Sequence, residues 1–169
     1  MSMYPIASYN ISSNTGTNGV FFNSIPQNFT HLQLRFFTRS YNGASGTNTI
    51  VQYNGDFGSN YAYHYVGGSG GTTFSGGGAN QTSTNFGWVA GNNDLSNTFG
   101  VSVVDILDYT NTNKYKVSKA INGIDANGSG LVGMWSGLWL NTAAITQIFI
   151  NPNGFDRYST IQLYGITTA

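Results

Sequence analysis

Carboxylate or imidazole chemistry in this chain would have to come from six aspartates and two histidines, with no thiolate, because glutamate and cysteine are absent. Two of the aspartates, Asp105 and Asp108, stand three apart in the run Val104-Asp105-Ile106-Leu107-Asp108-Tyr109. A carboxylate pair can serve as general acid and base on a glycosidic bond, or share a metal ion. Strand geometry works against this pair, because side chains alternate and residues three apart leave opposite faces. If 101–109 is one strand, Asp105 shares a face with Val101 and Val103, and Asp108 with Val104 and Ile106. Asp108 then reads as a strand-end residue bonding nearby backbone groups. Asp105 interrupts an apolar run and needs a partner if it is buried; Arg35, Arg39 and Lys116 are the candidate cations.

The other chemical motifs are weaker. Asp125-Ala126-Asn127-Gly128-Ser129-Gly130 has the start of a calcium loop, but the EF-hand pattern needs glutamate at its twelfth position, where this chain has Ser136. His31 and His64 have no ligand partners at zinc-like spacing, and His31 falls on the polar face of a strand. Gly67-Gly68-Ser69-Gly70-Gly71 matches the nucleophile-elbow pattern, yet glycine-rich sequence follows where the chemistry requires a helix. No phosphate-binding or dinucleotide fingerprint is present. The expectation is a protein that is not an enzyme, with no catalytic residue, no metal and no cofactor. Rings are the remaining candidates. Tyr61, Tyr63 and Tyr65 lie on one strand face, and with Trp88 they could stack on sugar rings. Tyr61, Tyr63 and Trp88 are therefore the candidate glycan contacts. The competing role for Trp88, Trp135 and Trp139 is core or subunit interface.

The elements that must position these groups are strands. Good helix formers are sparse, and short apolar runs alternate with Gly, Asn, Ser and Thr clusters. Strands are predicted near 6–11, 19–22, 30–36, 49–53, 61–66, 86–90, 99–109, 115–121, 131–140, 145–150 and 160–166. In the third, Leu32, Leu34 and Phe36 define one face. Pro26 and Asn54-Gly55-Asp56 mark turns. Residues 67–78 read as a glycine-rich loop, and 122–130 as another. About ten short strands without room for crossover helices predict one all-β domain over 1–169, an antiparallel jelly-roll-like β-sandwich.

Charged residues make up 7% of the chain and net charge is zero, a composition that favours association over repulsion. Lys114, Lys116 and Lys119 are the densest cations, too few for a phosphate backbone, so no nucleic-acid partner is expected. No run of eighteen apolar residues occurs, and the start of the chain has no signal-peptide pattern, so neither a membrane partner nor secretion is expected. Sequons begin at Asn10, Asn28, Asn80 and Asn127 and read as by-products of composition.

The segments SIPQNFTHLQLR (24–35), YNGDFGSNYAYHY (53–65), VVDILDYTNTNKYK (103–116) and NGSGLVGMWSGLWLNTAAITQIFI (127–150), with the terminal LYGI (163–166), resemble a family of small tailed-bacteriophage virion proteins. The resemblance implies a jelly-roll β-sandwich, often trimeric. It implies assembly with other virion proteins, major capsid or tail, after synthesis in the host cytoplasm. Capsid decoration, cement or a small head appendage is the role it suggests, because the chain lacks a coiled-coil or repeat shaft. The alternative is a tail-fibre or receptor-binding module that recognises host surface glycans. The family offers no catalytic motif, so no residue role is transferred.

Overall fold

The computed structural model describes residues 2–42, 44 and 46–168, and these fold into β-strands without a helix. The strands are β1 (Ser2–Asn10), β2 (Val20–Phe22), β3 (His31–Thr38), β4 (Thr47–Tyr53), β5 (Tyr61–Ser69) and β6 (Thr72–Gln81). They continue as β7 (Thr84–Val89), β8 (Gly100–Leu107), β9 (Lys116–Asp125), β10 (Gly130–Trp139), β11 (Ile148–Asn151) and β12 (Thr160–Thr167). An eight-stranded sheet has the order β1-β12-β3-β8-β9-β10-β5-β6, and a four-stranded sheet the order β2-β11-β4-β7. Every ladder between these strands is antiparallel. The fold is thus the expected all-β sandwich. The chain crosses between sheets at β1–β2, β2–β3, β3–β4, β4–β5 and again around β7 and β11, which is jelly-roll wrapping. The meander β8–β9–β10 occupies the place of a single strand in that scheme.

Alternation builds the core. From the large sheet come Leu32, Leu34, Phe36, Val104, Ile106, Ala120, Trp135 and Trp139; from the small sheet come Val20, Phe22, Val51, Tyr53, Phe86, Ile148 and Ile150. The turn after β4 is built as its sequence demands: Asn54 and Gly55 both have positive φ, and Asp56 N–H closes on Tyr53 O at 2.9 Å.

Two expected loops are strands. Residues 67–78 form the end of β5 and most of β6, joined at Gly70-Gly71, which raises the strand number to twelve. Residues 122–125 complete β9, leaving a short turn before β10. The glycines of the β5–β6 hairpin leave room for rings to lie on the strand. A Cβ on Gly76 would sit 2.5 Å from the Tyr65 hydroxyl oxygen, and one on Gly67 would overlap the Phe74 ring. Gly133 plays the same part beside Trp135. Glycine here is a partner for aromatics across the ladder, so apolar periodicity misses the strand.

Two buried cations fasten the long connections. Lys116, at the start of β9, is 1% exposed, and its ammonium donates to the carbonyls of Asn111, Lys114 and Thr142 at 2.7, 3.0 and 2.8 Å. Burial pushes its pKa down, with Lys114 nearby adding to the shift. Arg39 donates to the carbonyls of Asn92, Asp94, Leu95 and Thr98 and lies 3.4 Å from Asp156. Neither cation is a partner of Asp105.

Candidate interaction surface

The outer face of β8, β9, β10 and β5 is set by register. One transverse row runs Arg35, Val103, Ile121, Met134, Val66, Ser75 from β3 to β6. Its neighbour runs Phe37, Val101, Gly123, Val132, Gly68, Thr73. Val66, Val101, Val103, Ile121, Val132 and Met134 are 44–61% exposed, so these rows make a continuous apolar field. A shallow groove of about 500 Å³ runs through it, lined by Val66, Gly68, Thr73, Ile121, Val132 and Met134. At about 4.8 Å per strand, the four-strand field is roughly 20 Å wide. Apolar fields of this extent on one face mark interaction sites.

The next row places the first of the two opening aspartates. It runs Gln33, Asp105, Lys119, Ser136, His64. Asp105 projects outward beside Val103, as alternation requires, and its cation is Lys119 directly across the ladder at 3.8 Å. Gln33 Nε2 donates to its other oxygen at 2.9 Å. The three candidate partners fail for separate reasons. Arg35 bonds Gln33 and stacks over Tyr164. Arg39 is committed to the 92–98 loop, and Lys116 lies on the inner face. Asp105 and Lys119 are thus paired within the outer face, while Arg35 at its β3 edge meets only Gln33, Met3 and Tyr164.

Asp108 stands outside β8, with φ 48°, at the opening of the turn. Its N–H donates to His31 Nδ1 at 2.9 Å. Its carboxylate does not cap backbone groups. It pairs with Lys114, which holds its pKa below the usual carboxylate range, and lies 3.3 Å from His31. The two aspartates share no site. Asp125 accepts from Asn127 N–H at 3.0 Å and shapes the β9–β10 turn. Among the described residues, no three His or Asp side chains gather as metal ligands.

The candidate glycan contacts separate. Tyr61 is fully buried: its hydroxyl accepts from Tyr53 N–H at 3.0 Å and donates to Asp56 O at 3.1 Å. Burial pushes its pKa up to about 12. Tyr63 stacks on Tyr65 at 6.3 Å. Trp88 belongs to a cluster with Tyr65, Phe74 and Trp135, at 5.6, 4.9 and 5.4 Å between ring centres. Tyr63 and Trp88 are half-buried. Trp139 is in the core, where its indole N–H donates to Asp56 Oδ2 at 2.7 Å. Burial raises the Asp56 pKa, but that bond, Gly58 N–H and the Asn60 amide outweigh it, and the net shift is downward.

The apolar outer face was not singled out in the sequence. Its signal is present as VSVVDIL and KVSKAI, runs with apolar residues on both strand faces, which is the pattern of a strand covered on both sides.

No family model matches this chain, and no curated protein matches it. Among solved structures, an aerolysin-like protein (Bombina maxima) aligns at a TM-score of 0.15 and 6% identity, over 82% of this chain and 81% of that one. A likeness at that level bears on neither fold nor function.

Proposed function

We propose that this protein is a structural component of a bacteriophage particle, a decoration, cement or small appendage subunit whose role is non-enzymatic. The observation that carries the reading is the apolar outer face of the large sheet. Six residues at 44–61% exposure, with Asp105 and Lys119 beside them paired across the ladder, suit burial against protein. The resemblance of segments 24–35, 53–65, 103–116 and 127–150 to tailed-phage virion proteins supplies the setting. Jelly-roll sandwiches are a common build for capsid components. The zero net charge fits a subunit that works in the assembled state, and a trimer is the assembly proposed. Mass spectrometry of purified virions tests the reading: the protein is expected in particles at fixed stoichiometry, and its absence from them sinks the proposal. Light scattering of the isolated chain tests the trimer.

A further inference from the structure

Where the glycine-rich hairpin, the β9–β10 turn and the 91–99 loop meet, the two sheets leave a cleft of about 500 Å³. Its lining includes Phe74, Trp88 and Leu131 on the apolar side and Ser69, Asp94 and Ser129 on the polar side. That size and mixture fall in the range of small-molecule sites. The rings are held from behind: Trp88 packs on Trp135 at 5.4 Å, and Phe74 on Trp88 at 4.9 Å.

The carboxylate is also pre-positioned. Arg39 grips the backbone carbonyls of Asn92, Asp94, Leu95 and Thr98, fixing the loop that carries Asp94. Gly91 N–H donates to Asp94 Oδ2 at 2.6 Å, and no bond is made to Oδ1 among the described residues. A fixed loop thus carries an acceptor with unused capacity. No lysine or arginine lines the cleft. Phosphorylated ligands would meet a carboxylate there without a counter-charge.

We infer that this cleft binds a neutral saccharide, with one sugar ring against Phe74 and Trp88 and its hydroxyls donating to Asp94. An apolar ring face satisfies the aromatics, and hydroxyls satisfy an ionised acceptor with bonds stronger than neutral ones. The site shares only Trp88 with the residues first picked out for sugar contact, and it does not depend on the assembly role proposed above.

The test is a tryptophan-fluorescence titration of the full chain with maltotriose, galactotriose and chitotriose. At least one is expected to shift the emission saturably. Asp94→Ala should weaken that binding about tenfold or more. Phe74→Leu, which keeps an apolar filler and removes the ring, should weaken it as well; near-UV circular dichroism checks that each variant stays folded. Phe57→Ser, an exposed position in the β4–β5 connection away from the cleft and from the outer apolar field, should leave the affinity unchanged. The inference is overturned if no trisaccharide shifts the emission. It is equally overturned if both folded variants bind like the parent, or if glucose 6-phosphate binds more tightly than glucose.

Discussion

Lys116 and Lys119 are three residues apart on β9 and live in opposite worlds. Lys116 points into the sandwich, caged by three carbonyls; Lys119 points out, 58% exposed, toward Asp105. The inner face of the strand is a place where every polar group must be satisfied. The outer face is one where apolar side chains stand in solvent and charges are merely balanced. On the proposed reading a single strand separates stability from association, and substitutions on its two faces should fail in different ways.

The largest effect belongs to the inner face. Lys116→Met leaves the carbonyls of Asn111, Lys114 and Thr142 without their donor, at a cost of roughly 2–4 kcal/mol. Urea unfolding should show it as a lower midpoint. The outer face should respond in the other coordinate. Ile121→Lys together with Met134→Lys should change the unfolding free energy of the isolated subunit by about 0.5 kcal/mol or less. The same pair should abolish self-association in light scattering; unchanged mass would remove the outer face as the contact.

The buried tyrosines give a pH test of the inner side. The pKa of Tyr53, Tyr61 and Tyr109 is raised by burial above the ordinary value of 10.0. The folded state therefore keeps protons that the unfolded chain loses, and stability should be intact below pH 10.0 and fall as pH rises through the folded values. Asp56 acts at the acid end: its folded pKa is lowered, so its contribution is present above 3.8 and lost as pH drops below that. Thermal melts across both limits should show the two shoulders, the acid one reduced in Asp56→Asn, with the part due to Asp108 and Lys114 remaining. The smallest effect is the outer pair. A double-mutant cycle on Asp105 and Lys119 should return a coupling of about 0–1 kcal/mol, shrinking with salt.

Much of this architecture is legible residue by residue. Alternation in 30–36 puts Leu32, Leu34 and Phe36 on one face, which is the core face. In 101–109 it groups Val104 with Ile106 and parts Asp105 from Asp108, but with apolar residues on both faces it does not say which is inner. Partner choice is another matter, because Lys119 becomes the neighbour of Asp105 only when the β8–β9 register is known. β6 escapes notice because its inward positions are Phe74, Gly76 and Gly78, and glycine carries no apolar period. The cleft is assembled from segments scattered between residues 46 and 131, so no local pattern announces it. Trp88 is visible in advance as a ring with two competing uses, and Ser69 and Ser129 only within motifs read for other chemistry.

The carbonyl cages around Lys116 and Arg39 have one more consequence. Converging backbone oxygens are how proteins bind hard cations such as calcium. Here the cation is a side chain, delivered by the polymer at a local concentration that dilution cannot reduce. The loops at 92–98 and 111–114 are thus held in the folded state by cations that belong to the chain, whatever ions the medium holds. Chelators should leave their melting behaviour untouched.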